Sequence, residues 1–196
     1  MAQVSIPDLV AGVRSGCLVS FPTDTVPALA VRPDRAELIF AAKQRSQNKP
    51  LTLMGATSGD LWSFVTGSSD ELLVWQQVAS LYWPGALTLV LPASERVPPA
   101  MNPTDPTTIG LRVPKCAIAY SILSQTGPLA TTSANLSGQL PLQTMADITA
   151  QFPDVLTLLP TELAAVNPGV GVPSTVAKWT GSGWEILRQG AVKLEF

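Results

Sequence analysis

The stretch Gly127-Pro128-Leu129-Ala130-Thr131-Thr132-Ser133-Ala134-Asn135-Leu136-Ser137-Gly138 passes from a Gly-Pro turn through a short apolar pair into a cluster of polar side chains. Thr131, Thr132, Ser133, Asn135 and Ser137 put five hydrogen-bonding groups into seven positions. An apolar run that ends in clustered hydroxyls and an amide, followed by Ser-Gly, predicts a buried strand opening into a polar loop at a sheet edge. Such a loop can meet ligand oxygens at close range. Ser, Thr and Asn serve ordinary surface loops and helix N-caps equally well, so the meaning of the stretch depends on what surrounds it.

Working outward, Thr107–Val113 reads as a strand that carries Arg112 among Ile109, Leu111 and Val113. A cation in such a run needs an anion, either a carboxylate of the protein or a ligand. Ala117–Gln125 is a helix joining this strand to the polar loop. Toward the N-terminus, Ser5-Ile6-Pro7-Asp8 starts a helix that Gly16 ends, and Cys17–Phe21 is a buried strand. It runs into Pro22-Thr23-Asp24-Thr25, a second polar loop between buried segments, and Val26–Val31 resumes the strand pattern.

Asp34 and Glu37 have capping-box spacing for a helix that ends in Lys43-Gln44-Arg45. Lys43, Arg45 and Lys49 place three cations within seven residues, ahead of a short strand Pro50–Met54. They suit either the C-terminal end of a helix dipole or a phosphate grip. Ser69–Tyr82 is a helix with Trp75 toward the core, stopped by Trp83-Pro84-Gly85, and Ala86–Leu91 is a core strand. Five prolines between Pro92 and Pro106 mark a long connection of the kind that covers sites. Thr144-x-x-Asp147 begins another helix, Val155–Leu159 is a strand, and Ser174–Trp179 with Trp184–Arg188 form a closing hairpin. Nine strand-like segments among about five helices predict one α/β domain over residues 1–196, with an open, twisted, mixed sheet.

Composition narrows the chemistry. In 196 residues, 46% are apolar, 13% are charged and the net charge is -2, which excludes a disordered chain and a broadly basic nucleic-acid binder. No apolar run approaches the roughly 18 residues of a membrane span, and the first residues lack the sections of a signal peptide, so a cytoplasmic protein is expected. Cys17 and Cys116 lack metal spacing and are expected to be buried, reduced thiols. The chain contains no histidine, so a Ser-His-Asp triad, a Cys-His pair and histidine-bearing zinc sites are excluded. Lysines, arginines, carboxylates, hydroxyls and amides remain, a set suited to binding and polarising a charged substrate.

Seven short motifs, in order, now resemble those of the YrdC-type threonylcarbamoyl-adenylate synthases. They are Pro22-Thr23-Asp24-Thr25-Val26; Lys43-x-Arg45 with Lys49-Pro50-Leu51; Trp83-Pro84-Gly85-x-Leu87-Thr88; Arg112-Val113-Pro114; Ser133-Ala134-Asn135-Leu136-Ser137-Gly138; Gly171-Val172-x-Ser174-Thr175; and Leu187-Arg188-x-Gly190. The resemblance implies a YrdC-like sheet around a deep cavity. It also implies synthesis of threonylcarbamoyl-adenylate and pyrophosphate from L-threonine, bicarbonate and ATP, for N6-threonylcarbamoylation of adenosine 37 in tRNA.

By that resemblance ATP falls to Arg45, Lys49, Thr108, Ser133 and Arg188. Lys43, Arg45, Ser133 and Asn135 form the reaction centre, and threonine falls to Thr25, Arg112, Thr131 and Ser174. Mg2+ is expected with ATP, its ligands unknown. tRNA enters indirectly or weakly, through proteins that transfer the threonylcarbamoyl group. The chain departs from the family pattern at Pro27-Ala28 (usually Tyr-Gly), Ser46 and Gln189 (usually Pro) and Pro173 (commonly Glu), and is expected to lack the C-terminal extension of longer members. Two other classes fit the same residues: a double-stranded RNA or tRNA binding module of this fold, and a related carbamoyl-adenylate-forming enzyme with another substrate.

Overall fold

The computed structural model describes residues 3–44, 49–164 and 169–195. β1 (Gln3–Val4) leads into α1 (Ile6–Arg14), where the Ser5 hydroxyl accepts from the Asp8 amide and Gly16, at φ +86°, turns the chain out of the helix. β2 (Val19–Phe21) and β3 (Ala28–Val31) flank the Pro22–Pro27 turn. The capping box expected from Asp34 and Glu37 does not form. Asp34 is bound by Arg32 at 2.7 Å, Pro33–Arg35 makes a 3-10 turn, and α2 (Glu37–Ala42) starts without a side-chain cap. An adjacent guanidinium outcompetes the backbone amide for that carboxylate.

β4 (Thr52–Met54), α3 (Ser69–Tyr82), β5 (Leu87–Pro92) and β6 (Thr108–Arg112) follow; α3 carries the capping box the sequence reading overlooked, between Ser68 and Glu71. α4 (Ala117–Thr126) ends at Gly127, whose φ of +77° suits glycine, and releases β7 (Leu129–Ser133). α5 (Met145–Gln151) is capped by the Thr144 hydroxyl. β8 (Thr157–Leu158), α6 (Pro160–Leu163), β9 (Thr175–Trp179) and β10 (Trp184–Arg188) complete the described elements.

Eight strands form one mixed sheet in the order β10-β9-β5-β6-β4-β7-β3-β2; β1 and β8 pair separately, in parallel. Among the described residues that gives ten strands where nine were expected. The addition is β1, two residues long and too short for a periodic signal. Strand alternation then divides the sheet into two faces. Leu29, Val31, Leu53, Leu89, Ile109, Leu111, Ala130 and Ala177 join one core cluster with Ile39 and Phe40 of α2, Trp75 of α3 and Ile148 of α5. On the other face, α1 and α4 cover the β2–β3 end through Leu9, Val13, Ile118 and Ile122. The rest of that face is left for the site.

The long connection after β5 is anchored: Met101 is fully buried and its carbonyl accepts from the Leu51 amide, while the Ala93 amide donates to Thr107. It forms a wall of the site. Cys116 is half-buried with its thiol directed at the Pro22 carbonyl, 3.4 Å away, and Cys17 is exposed, against expectation. Cys17 precedes the first residue of β2, where the backbone has only just left the α1 turn, so its side chain is not yet under the helix.

Candidate active site

A cavity of about 530 Å³ opens on the uncovered face of the sheet. Register gives its floor. One row crosses it from Lys178 on β9 through Val90, Gly110 and Thr52 to Thr131 on β7. Thr108, opposite Pro92, and Ser133, opposite Ala28, lie on one side of that row; Arg112, opposite Met54, lies on the other. A Cβ on Gly110 would meet Thr88 Cγ2 at 3.3 Å and Thr52 Oγ1 at 3.5 Å, so the floor is lowest where the strands present no side chain.

Alternation along β6 explains Arg112. Ile109 and Leu111 enter the core, whereas Thr108, Gly110 and Arg112 face the cavity, so the arginine sits in an apolar strand without sitting in the apolar core. Its side chain is 7% exposed, and Nη2 meets Asp24 at 2.7 Å. Nη1 donates to Thr25 Oγ1 at 2.9 Å and Nε to the Gly85 carbonyl at 3.2 Å. Burial lowers the guanidinium pKa, and the Asp24 carboxylate opposes that shift. Among the described residues three of the five guanidinium N–H groups are used, one of the two on each terminal nitrogen and that on Nε. Thr25 is further held by Thr23 at 3.1 Å, and the Val170 and Gly171 amides bind the Asp24 and Thr25 carbonyls. The Pro22–Pro27 turn is thereby drawn onto Arg112 from both sides.

Ser174 continues this end of the cavity: its hydroxyl lies 2.9 Å from that of Thr88, and its carbonyl accepts from Nε and Nη2 of Arg188 at 3.1 and 2.7 Å. Arg188, whose pKa partial burial lowers, forms no ion pair among the described residues. Thr131 donates to the Thr52 carbonyl at 2.9 Å.

At the other end Ser133 Oγ donates to Asn135 Oδ1 at 2.6 Å, and the Asn135 amide donates to the carbonyls of Leu136 and Gln139 at 2.8 and 2.9 Å. Lys43, 1% exposed, reaches from behind, donating to the Ser133 carbonyl and, at 3.2 Å, to Asn135 Oδ1. Thr108 Oγ1 accepts from Asn102 at 3.1 Å and donates to Asp105 at 3.2 Å. Asp105 is held below the ordinary carboxylate range, first by the Thr107 hydroxyl, then by Thr108 and the charge of Lys178.

Thr25, Lys49, Thr108, Arg112, Thr131, Ser133, Ser174 and Arg188 therefore all line one cavity, although they come from distant parts of the chain. Lys43 and Asn135 are not in its lining; they lie beneath Ser133. Arg45 and Ser46 lie outside the described residues. Lys178, Asn102 and Asp105 line the cavity without having been singled out in the sequence. Their signal was available for Lys178: in Val176-Ala177-Lys178 the middle residue is fully buried, so its neighbours face the cavity.

The fold and cavity define an open-sheet α/β domain with a small-molecule site built for anions: hydroxyls, a glycine floor and guanidinium and ammonium groups around one chamber. Residues 12–190 match the Sua5/YciO/YrdC family, described as telomere recombination, and the chain belongs to that family. A threonylcarbamoyl-AMP synthase of Pyrococcus abyssi is 34% identical over 187 residues, 93% of this chain and 53% of that protein. A synthase of the same name from Chromohalobacter salexigens is 32% identical over 175 residues, 87% of this chain and 90% of that protein. The crystal structure of P. abyssi Sua5 complexed with L-threonine superposes with a TM-score of 0.81 at 29% identity, over 94% of this chain and 54% of that one. The chain thus spans about half the length of the first curated relatives it matches, at 53% and 54%. No helix among the described residues is long and apolar enough to cross a membrane.

Proposed function

We propose that this chain is a threonylcarbamoyl-AMP synthase that converts L-threonine, bicarbonate and ATP into threonylcarbamoyl-adenylate, pyrophosphate and water. The observation that carries the reading is the division of one cavity into two anion-binding ends. Arg112 offers a fork of two N–H groups at the part of the cavity that Thr25 and Ser174 also line, a match for an amino-acid carboxylate and side-chain hydroxyl. Ser133 and Thr108 bring hydroxyls that turn from Asn135 and Asp105 to donate to phosphate oxygens, and Lys49 brings a cation, with Arg45 added by the family pattern. The open floor at Gly110 lies between the two ends.

The reaction suits a site without histidine. Bicarbonate gives up hydroxide to become CO2, threonine's amine adds to it, and the proton lost from nitrogen leaves with the hydroxide as water; an oxygen of the resulting carbamate then bonds to the α-phosphorus as the bond from that phosphorus to the oxygen bridging it to the β-phosphorus breaks, releasing pyrophosphate. The nucleophile is already an anion at that step, so the residues need only align two anions and receive charge on the departing pyrophosphate. Lys43 and Asn135 fit a positioning role: they fix the carbonyl and hydroxyl of Ser133. Asp105 is the sole carboxylate in the described lining, and no group of three metal-ligating side chains exists among the described residues. Mg2+ would arrive on ATP's own oxygens.

In the cell the product would pass to proteins that transfer it to tRNA in the cytoplasm. The test is pyrophosphate release by the purified chain with ATP, bicarbonate and threonine, and with each omitted, without tRNA. Release should require all three. Release without threonine would identify a plain ATPase, and retention of RNA with no release under any condition would favour the binding-module reading.

A further inference from the structure

Lys178 has no assigned role, yet it projects from the middle of β9 into the cavity. Among the described residues its ammonium forms no hydrogen bond or ion pair, although two carboxylates are near. Glu185 stands opposite it on β10, and Asp105 senses its charge from the far side of the mouth while already occupied by Thr107 and Thr108. Among the described residues Lys178 closes within 4 Å of neither.

Its place on the floor says what it faces. Lys178 shares the central row with Gly110 and Thr131, next to the side where Thr108 and Ser133 lie, and Asp105, which feels its charge, is hydrogen-bonded to Thr108 on that side. Lys49 guards that side from the opposite wall, just before β4. The strands between are β5 and β6, so the two lysine-bearing segments stand three strand spacings apart, roughly 14 Å. Lysine side chains rising from two segments that far apart can converge above the floor on a polyphosphate, whose outer groups carry most of its charge.

Resting on the reading above, we propose that Lys178 is a nucleotide-binding residue that, with Lys49, grips the β- and γ-phosphates of ATP and then the pyrophosphate that leaves.

Titration calorimetry of the parent chain, Lys178→Met and Lys178→Arg with ATP, AMP and inorganic pyrophosphate in the presence of Mg2+ tests this. The Met variant keeps the apolar stem. It should bind ATP and pyrophosphate about tenfold or more weakly, the scale of one charge-assisted contact, while its affinity for AMP changes less than twofold. Lys178→Arg should recover most of the loss. Unchanged ATP affinity in Lys178→Met would overturn the inference and leave the enzyme reading standing, as would equal losses for ATP and AMP, which indicate a distorted cavity. A parent chain that binds neither ATP nor pyrophosphate would overturn both.

Discussion

Arg112→Lys should separate amino-acid recognition from nucleotide recognition. A lysine ammonium can remain on Asp24, but the bonds now made to Thr25 at 2.9 Å and to the Gly85 carbonyl at 3.2 Å lose their donor. Hydrogen bonds from a charged donor contribute about 1.5–3 kcal/mol each, and Thr25 keeps its Thr23 partner at 3.1 Å, so the combined loss falls near 2–4 kcal/mol. For a domain of this size that lowers the melting temperature by about 4–16 °C. The larger effect is on the ligand. The two remaining N–H groups, one on each terminal nitrogen, form a planar fork that a single ammonium cannot copy. Losing one of two charge-assisted contacts, about 1.4–2.8 kcal/mol, raises the threonine requirement ten- to a hundredfold. Pyrophosphate release measured against threonine at saturating ATP, and against ATP at saturating threonine, reads the two separately. An ATP requirement that rose while that for threonine stayed put would refute the assignment of Arg112 to the amino acid.

Three other perturbations test the surroundings. Gly110→Val puts a branched side chain on the cavity floor, already 3.3 Å from Thr88 at the Cβ, and should abolish binding of threonine and ATP together while the fold, checked by circular dichroism, is kept. Trp75 is fully buried and its Nε1 has no hydrogen-bond partner among the described residues, so Trp75→Phe removes an unsatisfied donor along with part of a ring; chemical denaturation should show a loss of about 1.5 kcal/mol or less, against about 3–5 for Trp75→Ala. Asp105 has a folded pKa below its unfolded value of about 3.9, so what its charge contributes is present above that value and is lost as pH falls through the lower one. The stability difference between the parent and Asp105→Asn should therefore close on acidification below about pH 4, and a difference that widened would contradict the hydrogen bonding seen at Thr107 and Thr108.

What was legible in the sequence follows from how local each feature is. The α3 and β10 boundaries, the Ser5 and Thr144 caps and the buried Trp75 depend on neighbours within a few residues, and the structure agrees. Asp34 and Glu37 had the right spacing, but Arg32 two residues away took the Asp34 carboxylate, a competition that the motif does not encode. The Val155–Leu159 run shrinks to Thr157–Leu158 because, among the described residues, β1 with which it forms a ladder is two residues long and the pairing to β2 is a single bridge, Leu156 with Val19. Arg112 was recognisable as an anomaly because a cation in an apolar strand must be explained. Its carboxylate partner was not recognisable, since Asp24 lies 88 positions away and meets it only once the sheet has formed. Lys178 was overlooked for a simpler reason: next to a turn and an exposed hairpin, a lysine looks like a solvated strand end.

The charges around the cavity differ in how they are held, and the difference bears on the chemistry. Arg112 is neutralised by Asp24 and buried, whereas Arg188 has no carboxylate among the described residues and its charge acts against that of Arg112. Adding a substrate carboxylate next to Arg112 is favourable because Asp24 offsets only one of these two guanidiniums. The hydroxyls that accept Arg112 and Arg188, on Thr25 and Ser174, are fixed by Thr23 and Thr88, so little reorganisation is left for the moment of binding. Preorganised donors of this kind act most on charge that appears during a reaction, because water in the same place would have to reorient first. A site that lacks histidine loses a proton shuttle but not this capacity. It is therefore suited to a step in which the nucleophile enters as an anion and the leaving group departs as one.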